Sequence, residues 1–68
     1  MDDEALNMSM RKFLKTVGVN SQLAIEKAVR HAIESGKLKG TESLPAHMRL
    51  HVGELDLDVT FHGEVRLT

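Results

Sequence analysis

His47-Met48-Arg49-Leu50-His51 is followed closely by Asp56-Leu57-Asp58, so a His-x-x-x-His spacing stands just ahead of an Asp-x-Asp spacing. On a helix, two histidines four residues apart share a face and can bind one zinc ion. On a strand, the same spacing spans ~13 Å, too far for two ligands that must each lie about 2 Å from a common metal. The residues between them decide the matter. Ala46, Met48, Leu50 and Val52 alternate with His47, Arg49 and His51, which is the period of a strand. The expectation is a solvated, charge-paired sheet face with no metal site.

Other chemistry is equally poorly served. A His–Asp couple could orient a general base, but here it lies on an open face with no nucleophile or pocket implied. Ser9, Ser21, Ser35 and Ser43 read as helix-surface, capping or loop residues. "GKLKG" is too short for a phosphate loop. No catalytic or cofactor-binding residue is assigned, and the chain is not expected to be an enzyme.

The elements that hold these residues follow from periodicity. Leu6, Met10, Phe13, Leu14 and Val17 form one helical stripe. Gly18 sits where a left-handed helix cap is wanted, and Asn20 or Ser21 could cap a second helix carrying Ala24, Ile25, Ala28, Val29, Ala32 and Ile33. The reading is an αα-hairpin with helices over about 4–17 and 21–35, then a connector over 36–45. Beyond Pro45 the period becomes 2. With Gly53 and Gly63 taken as turns, strands are expected at about 46–52, 55–60 and 64–67. A two-residue turn at Gly53-Glu54 sets His51 opposite Asp56 and Arg49 opposite Asp58. A loop at Phe61-His62-Gly63 pairs Val59 with Val65 and Leu57 with Leu67, and brings Asp58 beside Arg66. The expected fold is α+β: an N-terminal αα-hairpin packed in two layers on a C-terminal three-stranded antiparallel β-meander, forming a single domain over 1–68.

The 68 residues are 41% hydrophobic, with only two phenylalanines as aromatics and no cysteine. Such a chain has the composition of a folded protein but a thin core, with no disulfide or thiolate metal site to reinforce it. The acidic start MDDEALN lacks the features of a signal peptide, and no apolar run approaches membrane-spanning length. A cytoplasmic location without membrane attachment is expected.

Net charge is −1, but it is segregated. Segment 1–10 holds only acids, segment 11–39 is strongly basic, and segment 40–68 is acidic. Arg11, Lys12, Lys15, Lys37 and Lys39 are therefore the candidate contacts for nucleic acid. A winged helix-turn-helix aligned on Gly18 fails, because it puts Leu14 where a small residue belongs and Lys27 where an apolar one belongs. Helix dipoles also favour acids in the first turn and bases further along. The preferred expectation is a non-enzymatic protein-interaction module or small homodimer, because a thin core and open sheet edges invite association. The alternative is a weak, non-specific nucleic-acid binder.

The stretch LNMSMRKFLKTVGVNSQLAIEKAVRHAIESGKLKG, followed by Leu-Pro and a β-rich tail, resembles a family of short bacterial proteins of unknown function. The likeness is densest over Asn7 to Gly40, with NMSMRKFLK and SGKLKG its most specific pieces. It implies a bacterial, cytoplasmic, stand-alone domain and carries no activity, cofactor or catalytic residue.

Overall fold

In the computed structural model, all 68 residues are described, as two units: Met1–Lys37 and Leu38–Thr68. The first unit is one helix, α1, Asp3–Glu34. The expected αα-hairpin does not form. No residue from Val17 to Ser21 leaves the helix, and Gly18 does not take a positive φ. The reason is visible in the spacing. Met10, Phe13, Val17, Ser21, Ala24 and Ala28 follow one another by three or four residues, so the stripe crosses Gly18 without a change of phase. A mid-helix glycine costs only about 1 kcal/mol relative to alanine, and no proline enforces a break.

The ends of α1 are specified locally. Asp2 is extended, and its carboxylate accepts the Ala5 N–H at 3.0 Å, while Asp3 and Glu4 stand in the first turn. At the other end Ser35 donates its N–H to His31, and Gly36 adopts φ 82, the left-handed position that ends helices. Ser9, Thr16 and Ser35 each return a hydroxyl hydrogen bond to a carbonyl three or four residues back, so these polar groups are satisfied within the helix.

The second unit is a single β-hairpin. Strand β1, Ser43–Val52, pairs antiparallel with β2, Leu57–Arg66, through the short 3₁₀ turn Gly53–Leu55. The three-stranded meander is overturned on two points. The first loop is Gly53-Glu54-Leu55-Asp56 rather than two residues, and it is Asp56 that takes the left-handed conformation, φ 51. Val52 therefore faces Leu57 and His51 faces Asp58. This register differs from the expected one by two residues. An even slip leaves every side chain on its own face, which is why the alternation read the faces correctly and the partners wrongly. The second point is that β2 runs straight through His62 and Gly63, and Gly63 pairs with Ala46. Phe61, Gly63 and Val65 keep to one face and His62 and Glu64 to the other, so period 2 is never broken.

No residue of the chain is buried. The contrast at Gly18 yields a direct test. Gly18→Ala should stabilise the protein by about 0.5–1 kcal/mol, because the site is helical and nothing lies within 4 Å of an added Cβ. A raised thermal midpoint by circular dichroism is expected. A left-handed turn at Gly18 would instead make the variant less stable.

Candidate interaction surface

The hairpin sorts its side chains by chemistry. Leu44, Met48, Leu50 and Val52 on β1 and Leu57, Val59, Phe61 and Val65 on β2 make one apolar face, with Ala46 and Gly63 as a small pair in it. On the other face lie Ser43 with Arg66, Pro45 with Glu64, His47 with His62, Arg49 with Thr60 and His51 with Asp58. The apolar face remains open to solvent: Met48 is 45% exposed and Phe61 58%. Along α1, Leu6, Met10, Phe13 and Leu14 are exposed too.

Pro45 fits β1 for a reason that also defines the edges. The Leu67 N–H donates to the Glu42 carbonyl at 2.9 Å, so this pair, one step past the ladder, is a hydrogen-bonded one. Alternation then makes Leu44–Val65 hydrogen-bonded and Pro45–Glu64 non-hydrogen-bonded. The position Pro45 occupies is one whose N–H would point outward from the sheet, so its missing donor breaks no ladder bond.

On the polar face, Arg49 and Asp58 come together as the sequence suggested, but diagonally rather than opposite. Arg49 Nε donates to Asp58 Oδ1 at 2.8 Å and Nη2 to Oδ2 at 2.7 Å, a bidentate pair open to solvent. This hydrogen-bonded guanidinium holds the Asp58 carboxyl below its ordinary value and raises the Arg49 pKa. The pairings expected for a third strand, Asp58 with Arg66 and Val59 with Val65, do not occur within the chain. Asp56 lies in the loop, away from the place opposite His51 that it was expected to hold.

His47 and His51 stand four residues apart along one strand. His47 instead meets His62 across the ladder, with ring centroids 6.1 Å apart. Sequence reasoning missed this pair by putting His62 in a loop, although the unbroken alternation through Val65 would have revealed it. No cluster of three or more His, Asp or Glu side chains suited to a metal ion occurs. A second missed feature is the Glu42 carboxylate, which accepts the N–H groups of Lys39, Gly40 and Thr41 at 2.8, 2.9 and 3.0 Å. These bonds, that from Lys39 foremost, lower its pKa. They tie the bend at Gly40, φ 102, into the strand that follows.

Of the basic residues, Arg11, Lys12 and Lys15 lie exposed along α1, while Lys37 and Lys39 follow its end, in different units. Glu4 and Glu26 share the polar side of the helix with the first three at this angular spacing. No helix is long and apolar enough to cross a membrane.

The two depressed carboxyl groups set a pH dependence. A carboxyl whose folded pKa is lowered contributes stability above its unfolded value, about 4, and that contribution is lost as pH falls through the folded pKa. Carbon-detected NMR titration should find Asp58 and Glu42 titrating below that value. Arg49→Ala should raise the Asp58 pKa and leave Glu42 unchanged. An unmoved Asp58 would show that the ion pair does not persist in solution.

No curated protein and no solved structure matches the chain. One family does, over residues 1–68. The protein belongs to DUF6494, a family of unknown function.

Proposed function

We propose that this protein is a non-enzymatic interaction module whose fold is completed by a second copy of itself. The observation that carries this reading is the absence of any buried residue. A lone helix and a two-stranded hairpin each leave their apolar side chains wet, and an isolated hairpin is marginal at best in water.

The apolar residues are also distributed as an association surface requires. Leu6, Met10, Phe13, Val17, Ala24 and Ala28 fall within one angular sector of α1, and the hairpin presents a continuous apolar face. By contrast, Arg11, Lys12 and Lys15 share their side of α1 with Glu4 and Glu26, so the nucleic-acid reading gains no support from that face.

Sedimentation velocity from about 1 to 100 μM should give a species of at least twice the chain mass. Leu57→Asp or Phe13→Asp, each at an exposed or half-buried apolar position, should shift it toward the monomer. A single 7.6 kDa species that is folded at every concentration would refute the proposal.

A further inference from the structure

Resting on this self-association, we infer that two copies join along the outer edge of β2, antiparallel across a two-fold axis at His62, to make a four-stranded sheet. The ladder parity fixes which edges are open. Since Leu67 and Glu42 form a hydrogen-bonded pair, Asp58, Thr60, His62, Glu64 and Arg66 turn their N–H and C=O groups away from β1. β1 has an outer edge of its own, but Pro45 interrupts it. Proline is a common guard of sheet edges, and β2 carries none.

The residues of β2 are complementary to themselves when reversed about His62. Asp58 then faces Arg66 of the second copy, Thr60 faces Glu64, and His62 faces its own counterpart. On the apolar face Leu57 meets Leu67, Val59 meets Val65 and Phe61 lies over Gly63. All of the first set are the outward-facing, hydrogen-bonding residues, so the backbone parity and the side-chain match agree. Up to about ten interstrand hydrogen bonds result.

Other registers are worse. Sliding by two residues one way puts Asp58 against Glu64, a like-charge pair. Sliding the other way puts Arg66 opposite Thr60, without an opposite charge. Odd slips mix the faces. Within one chain Arg66 makes no ion pair, Phe61 is 58% exposed, and nothing lies within 4 Å of the place where a Gly63 Cβ would stand. The two-fold pairing supplies each of them with a partner, including an aromatic ring over a strand glycine.

Amide hydrogen exchange by NMR on the full chain, with sedimentation alongside, tests this directly. The amides of Thr60, His62 and Glu64 should be protected at dimer concentrations, while those of His47, Arg49 and His51 on the outer edge of β1 exchange quickly. His62→Pro removes an outward N–H without touching the β1–β2 ladder, and should weaken the dimer at least about tenfold. Should that variant fail to fold, Arg66→Glu is the second probe. It turns two attractive pairs into repulsive ones and should weaken association about tenfold. A dimer that both folded variants leave unchanged, with Thr60, His62 and Glu64 exchanging as fast as the β1 edge, would overturn the β2 interface. It would leave self-association itself standing, through another surface. A monomer at all concentrations would remove both.

Discussion

Neither a single helix nor a two-stranded ladder has an inside. Hydrophobic burial is the dominant favourable term in folding and must exceed the conformational entropy lost on ordering each residue. A helix can shed water from one side only against a neighbour, and a hairpin from one face only against a covering layer. Here every large apolar side chain on α1 and on the hairpin is at least partly exposed. The local structure is nonetheless well specified: an aspartate cap, a left-handed glycine stop, a glutamate that gathers three amides and a ladder of ten residue pairs. Local specification without burial is the combination on which the proposed self-association rests.

The contrast between the two faces of the hairpin shows how that readiness is built. Its polar face is partly paired within the chain, through Arg49 with Asp58 and Ser43 with Glu64. Its apolar face has no equivalent closure. The strand edges differ in the same way, since β1 carries a proline at an outward position and β2 leaves five outward residues uninterrupted. A hairpin built only to stay apart from other chains would guard both edges.

Much of this was legible in the sequence. The outer ends of the helical region, the two faces of the sheet and the Arg49–Asp58 contact all follow from local rules, whereas β1 starts at Ser43, inside the expected 36–45 connector, and takes Pro45 into the strand. Two glycines account for the largest errors. Gly18 and Gly63 suggest turns, yet α1 and β2 run through them, whereas Gly53 does open the hairpin loop, which is four residues long rather than two. Glycine permits a turn without requiring one, so an unbroken stripe through Gly18 and an unbroken alternation through Gly63 were the better guides. The meander had a second cause. The match of Val59 to Val65 and Asp58 to Arg66 is real as complementarity, but a sequence does not say whether a segment meets itself by folding back or by meeting a copy. The His47–His62 pair was hidden by the same mistaken turn.

The central claim is that burial sufficient for folding comes from association. Thermal unfolding followed by circular dichroism at chain concentrations from about 1 to 200 μM tests it most directly. For an assembly whose subunits unfold as they separate, the midpoint must rise with concentration. That rise is expected, with helix and strand signals lost together. A cooperative transition at the same temperature across the whole range would show that one chain buries enough by itself, and would contradict it.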